Sequence, residues 1–248
     1  MIPKDAWLTL ELTNLCNLDC PFCYQNHGHI QPKGLMSFEH FKKIIDGIIE
    51  NKNKFVNFNP FHRGEALLHP DFNKMMKYVI NQSEVNSPFF DFMVLHTNAN
   101  LLDNEKIDLL LDIGSQRVFK YPGNLFFSID AASTQSYNKI RPGGNYEKVV
   151  DNIKKFILKR EAINQFGPSV VLQFIIQEEN EKEAKEFVNF WSNFFKENNI
   201  DFNIDKNFGD EIGEVQRTNI YLRRLQGPTV KMEDNIKRQK QVFEDLGL

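Results

Sequence analysis

Cysteine is scarce in this chain. The 248 residues hold three, and all lie within the eight-residue stretch CNLDCPFC at positions 16–23. An odd number of thiols cannot pair off completely, and no others exist to build a disulfide framework. Long apolar runs are missing as well: nothing approaches the ~18 residues of a membrane helix. The opening MIPKDAWLTLELT lacks the basic start, apolar core and small-residue cleavage site of a secretory signal. Nor is there an excess of positive charge. Thirty Lys and Arg stand against 33 Asp and Glu, a formal net charge of −3 with no electrostatic footprint for nucleic acid. Arg117, Arg141, Arg160, Arg217, Arg223 and Arg224 read as mostly solvated, with a local patch left open. The expectation is a cytoplasmic protein with neither membrane nor nucleic acid as partner. A reducing compartment turns clustered thiols toward metal or redox chemistry rather than a disulfide.

What is present is enough apolar material, 41% with 12% aromatic, for one large core. Short β-branched or aromatic runs alternate with helical patterns. Strands are predicted at 7–13, 54–59, 89–96, 124–130, 169–176 and 200–205. Between them lie helical spacings: FEHFKKIIDGIIENK after Ser37 as N-cap, FNKMMKYVINQ after Asp71, NEKIDLLLDIG closed by Gly114, a helix over about 145–165, and EKEAKEFVNFWSNFFKENN. Six strands joined by helices predict an α/β fold, a partial (β/α)6 TIM-like barrel with parallel strands. Residues 1–206 are expected to form the core. Residues 207–248 are expected to be a connector and helical tail, irregular over 207–230 and leading toward a further extension. Strand one is predicted to open within seven residues of Met1, so a leader-binding module before it is not expected, which lowers without excluding a role in peptide maturation.

Active sites of such folds gather at the C-terminal ends of the strands. The cysteines follow strand one, FHRGEALLHP follows strand two, TNAN strand three, and SIDAAS closes strand four. Three thiolates can hold three irons of a [4Fe–4S] cluster and leave the fourth iron open to a small molecule. A zinc loop completed by His27 or His29, or an electron-transfer cluster, uses the same thiols.

The C-x3-C-x2-C spacing, with Phe22 before the last cysteine, resembles the signature of the radical S-adenosylmethionine (radical SAM) superfamily. The resemblance implies a [4Fe–4S] cluster on Cys16, Cys20 and Cys23, with SAM on the open iron. An external electron donor such as flavodoxin or ferredoxin goes with it. It further implies a SAM-cleaving enzyme that abstracts hydrogen from a peptide or small metabolite.

RGEA resembles the family's GGEP-type motif, which implies that Gly64 and Glu65 meet the SAM amino group; Arg63 and Ala66 depart from that pattern. Asn98 in TNAN, Ser128 and Asp130 in FFSID, and Phe22 are implied near adenine, ribose or substrate, and Arg141 at the SAM carboxylate. Each also has an ordinary structural reading as a turn, cap or packing residue. Gln173, polar within VVLQFII, is expected to point into the barrel. His62 and His96 are the histidines best placed to reach a substrate; His40 and His69 read as structural. The stretch SIDAASTQSYNKIRPGGNYEKVVDNI resembles the branch carrying SPASM or twitch extensions, although no cysteine after Cys23 is available for an auxiliary cluster.

Overall fold

The computed structural model describes residues 6–27, 32–113, 118–163, 167–205, 217–225 and 231–248. Gly114, Arg117 and His29, and the side chain of His27, lie outside the described residues.

Seven strands form one parallel sheet: β1 (Trp7–Thr9), β2 (Phe55–Asn59), β3 (Phe90–Thr97), β4 (Asn124–Ser128), β5 (Ser169–Ile176), β6 (Asn203–Asp205) and β7 (Thr218–Arg224). Parallel neighbours need crossovers, and helices supply them: α1 (Phe38–Glu50), α2 (Phe72–Asn86), α3 (Asn104–Ile113), α4 (Thr134–Ile140), α5 (Tyr146–Ala162) and α6 (Ala184–Glu197), with α7 (Met232–Leu246) following β7. The strand order is β1-β2-β3-β4-β5-β7-β6, so β1 and β6 are the two edges and the sheet is not closed. This is the expected α/β partial barrel with one strand more than the pattern indicates.

The local chemistry of most elements matches their sequence. Ser37 caps α1 by accepting from the His40 amide at 3.2 Å, and the helix buries Phe41, Ile45 and Ile48 on one face. Asp71 precedes α2 but makes no side-chain cap; its own amide donates to His69 Nδ1 at 3.0 Å instead. Strands and helices share one continuous buried cluster rich in Phe. α4 is a short helix that the sequence reading does not anticipate; Ser133 caps it.

The stretch 207–230, expected to be irregular, contains β7. Its Thr218–Arg224 backbone pairs with Val170–Ile176 of β5, and β6 pairs on its other side. A strand inserted between two that precede it in the chain is not visible in its own pattern. Arg160, read as solvated, is fully buried: Nη1 donates to the carbonyls of Pro168 (3.1 Å) and Arg217 (2.7 Å), and Nη2 to Thr218 Oγ1 at 2.6 Å. It ties α5 to the start of β7, and those acceptors explain why a buried guanidinium is tolerated.

Candidate active site

The C-terminal ends of the strands surround a cavity of about 380 Å³. The cysteine loop after β1 forms one wall. It is held at several points by groups far away in sequence. The Asp19 amide donates to Pro142 O at 3.0 Å, and Glu65 N to Leu15 O at 2.8 Å. Gln25 Nε2 bridges Asn14 O (2.6 Å) and Arg63 O (3.0 Å). The loop around Gly64 lies so close that a Cβ there would meet Thr13 O at 2.2 Å and Leu15 O at 2.6 Å. Glycine is required by this backbone-on-backbone packing.

None of the three cysteines is in a disulfide, and all three line the cavity wall. Burial pushes the Cys20 thiol up to about 11, so metal binding there must displace a proton. Two N–H groups face the sulfurs: Asn98 Nδ2 lies 4.0 Å from Cys16 Sγ, and Arg141 Nη1 lies 3.9 Å from Cys20 Sγ. Donors of this kind are how a protein tunes cluster sulfurs. Among the described residues no three His, Cys, Asp or Glu side chains already converge as ligands of a single ion do. The fit to an iron–sulfur group rests on the donor set and on the N–H groups aimed at it.

Glu65 is only 3% exposed. Its Oε1 accepts from Leu67 N (3.1 Å) and Thr97 Oγ1 (2.9 Å), and Oε2 from Asn98 N (2.8 Å). Burial raises its carboxyl from the ordinary value, and these three donors oppose the rise. Glu65 thus lies at the cavity wall as the staple joining the β2 and β3 loops. Asn98 also donates to Asn17 Oδ1 at 3.0 Å, tying the third strand end to the cysteine loop.

Arg141 and Asp130 form a buried pair. Arg141 Nε donates to Asp130 Oδ2 at 3.0 Å, and Nη2 contacts the same oxygen. Asp130 Oδ1 accepts from Ile175 N at 2.7 Å. Burial would pull the Arg141 guanidinium down, but the Asp130 carboxylate more than offsets this and keeps it cationic. Asp130 is fully buried and stands behind Arg141, outside the cavity wall. Its φ of +59°, like that of Ala99, lies in the left-handed region that non-glycine residues avoid; both follow strand ends at the site.

Phe22, Gly64, Ser128 and Gln173 line the cavity. Gln173 Nε2 reaches Ser128 Oγ at 3.4 Å, while its buried Oε1 has no partner. An unpartnered acceptor in a cavity wall is a place for a ligand's N–H or O–H. His62 lines the same space. So does His96, stacked between Phe61 (4.9 Å) and Phe126 (4.1 Å), where burial first and then the Arg223 charge hold it down at about 3. His69 is structural, its Nε2 2.9 Å from Met36 O. The sequence reading missed Arg223 and Arg224, which line the cavity from the end of β7. Only recognition of that strand brings them to the strand-end rim.

A parallel partial barrel with three clustered thiols at its strand ends defines a cofactor-binding α/β protein of iron–sulfur type. The chain belongs to the radical SAM superfamily, whose profile matches residues 10–190. The superfamily's cofactors are a [4Fe–4S] cluster and S-adenosylmethionine. The chain is 28% identical over 191 residues to a tungsten-containing aldehyde ferredoxin oxidoreductase cofactor-modifying protein of Pyrococcus furiosus, covering 75% of this chain and 48% of that protein. It is 27% identical over 153 residues to the antilisterial bacteriocin subtilosin biosynthesis protein AlbA of Bacillus subtilis, covering 61% and 30%. The chain thus spans about half or less of these relatives' lengths. In fold it is similar to Streptococcus suis SuiB bound to its precursor peptide SuiA, with a TM-score of 0.63 at 12% identity, covering 98% of this chain and 46% of that one. Of these, AlbA and SuiB are SPASM/twitch-associated radical SAM enzymes. Among the described residues no helix is long and apolar enough to cross a membrane.

Proposed function

We propose that the chain is the core of a cytoplasmic radical SAM enzyme that cleaves SAM reductively and abstracts a hydrogen atom from a peptide or small-metabolite substrate. The observation that carries this is convergence: three thiols, Glu65, Ser128, Arg141 and Gln173 border one cavity although they belong to β4, β5 and the segments that follow β1, β2 and β4. When bound, the cluster supplies the electron that breaks the SAM sulfonium bond.

The chain's own residues do the rest. Cys16, Cys20 and Cys23 hold the iron, and Arg141 and Asn98 stabilise negative charge on the sulfurs. Glu65 fixes the two loops that frame the SAM amino group, and Gln173 Oε1 takes a ribose hydroxyl beside Ser128. Phe61, His96 and Phe126 make a rigid stacked wall that keeps water from a reactive radical. An external flavodoxin or ferredoxin delivers the electron, and the acidic balance favours no nucleic-acid partner. Peptide substrates gain weight from the relatives: one serves bacteriocin biosynthesis, and one neighbour holds a precursor peptide. We read Thr218–Arg224 as part of the core, so the expected boundary at 206/207 lies within the sheet.

The test is anaerobic reconstitution with iron and sulfide, then EPR of the reduced protein with and without SAM and chromatography for 5′-deoxyadenosine. A [4Fe–4S] signal that SAM alters, with 5′-deoxyadenosine formed, is expected. A cluster indifferent to SAM would make the protein an electron carrier or sensor, and bound zinc without iron would end the enzymatic reading.

A further inference from the structure

The buried Asp130–Arg141 pair is fixed from more sides than an ion pair needs. Asp130 N donates to Gln173 O at 3.4 Å, and Asp130 O accepts from Asn180 Nδ2 at 2.8 Å. Asn180 is itself held, since the same Nδ2 donates to Ile175 O at 2.9 Å and its Oδ1 accepts from Gln177 N at 2.8 Å. The Asp130 carboxylate takes Ile175 N on one oxygen and two Arg141 nitrogens on the other. Its φ of +59° is a conformation that persists only where the surroundings impose it. Arg141 is closed in on its other sides. Its guanidinium carbon lies 5.6 Å from the centre of the Phe22 ring, and Nη1 lies 3.9 Å from Cys20 Sγ. The guanidinium therefore lies between a carboxylate and a thiol, with each of its nitrogens committed. Asp130, Arg141 and Cys20 are all buried, whereas Cys16 is exposed, so charge acts on Cys20 with little screening by water.

Resting on the functional reading above, we propose that Asp130 is a positioning residue that holds Arg141 against Cys20 and offsets its charge, so that the pair keeps the cluster at low potential. One electron from the external donor adds one negative charge beside Cys20. A cation at that place favours the added charge and raises the potential, and a carboxylate on its far side opposes the rise. The pair thus presents an N–H to the sulfur while its net charge stays near zero. A cluster so placed is hydrogen-bonded and still a strong reductant, as cleavage of a sulfonium bond requires.

The experiment is an EPR-monitored redox titration of anaerobically reconstituted wild type, Asp130→Asn, Arg141→Gln and the double variant, without SAM and at matched iron content. Asparagine tolerates the left-handed backbone at position 130. Asp130→Asn is expected to raise the midpoint by about 59 mV, a tenfold change in the ratio of reduced to oxidised cluster for one electron. Arg141→Gln is expected to lower it, and carries the test alone if Asp130→Asn retains no iron. The double variant should return toward wild type. A merely structural pair would lose iron or stability without moving the two midpoints apart. Midpoints that stay at the wild-type value, or that move in the same direction, overturn the assignment. So does an unchanged midpoint in Asp130→Asn with weaker SAM binding by calorimetry on the oxidised protein, because Arg141 would then serve the ligand and not the sulfur. Absence of 5′-deoxyadenosine from wild type would sink the enzymatic reading while the midpoints still decide the pair. Zinc in place of iron would end both.

Discussion

At Gly64 the distances decide the outcome of a single methyl group. An alanine Cβ would sit 2.2 Å from Thr13 O, and backbone cannot rotate away as a side-chain end can. Gly64→Ala is expected to cost about 1–3 kcal/mol by forcing the cysteine loop outward. Urea denaturation would measure that loss, together with fewer irons retained per chain; an unaltered midpoint would show that the loop gives way freely. His96 makes a pH prediction. Folded, it is held at about 3; unfolded, it titrates near 6.5. Between those values the unfolded chain binds the extra proton, so this contribution is present above about pH 6.5 and is lost as pH falls toward 3. His96→Phe keeps a ring between Phe61 and Phe126 and removes the proton. Between pH 7 and pH 5 the urea midpoint should fall more for wild type than for the variant. Parallel declines would mean that the imidazole takes up its proton without penalty.

Among the elements, two helix starts that look alike in sequence behave differently. Ser37 accepts from His40 N, whereas Asp71 makes no side-chain cap. Ser37→Ala should therefore cost about 1 kcal/mol, roughly 2–4 °C of melting temperature for a chain of this size. Asp71→Ala should cost less, its backbone N–H being fixed by His69. Equal losses in thermal melts would contradict the distinction. β7 shows the same limit on a larger element. TNIYLRR alternates Ile220 and Leu222 with polar residues, a strand-like period too short to stand out from the irregular stretch around it. Its position between β5 and β6 is what buries Ile220 and Leu222 completely.

For the whole molecule, β7 belongs to the sheet and α7 packs on its core. Ending the chain at residue 206 would strip β5 of its β7 partner and leave β6 with no neighbour. It would also remove Val242 and Phe243 of α7 from the core. An open, apolar strand edge invites aggregation. The shortened chain is expected mainly in insoluble material, or in the void volume of a sizing column; a soluble monomer with unaltered circular dichroism would show β7 to be dispensable.

The sequence by itself determined the parallel α/β class, the place of six strands and most helices, the three thiols and most residues that border the cavity. These follow from local periodicities and from motifs a few residues long, because helix and strand patterns repeat within one or two turns. The tertiary structure alone decided which of those residues face the cavity and which support it. Asp130 and Arg141 stand eleven residues apart, yet only the buried pair between them shows that Asp130 serves the arginine. Cys20 meets Arg141 across 121 residues, and Cys16 meets Asn98 across 82. Arg160 looks solvated until three acceptors from two segments enclose it. A charge's surroundings are set by chain that returns from far away, and a strand squeezed between two others takes its register from its partners. Neither leaves a mark within a local window of sequence.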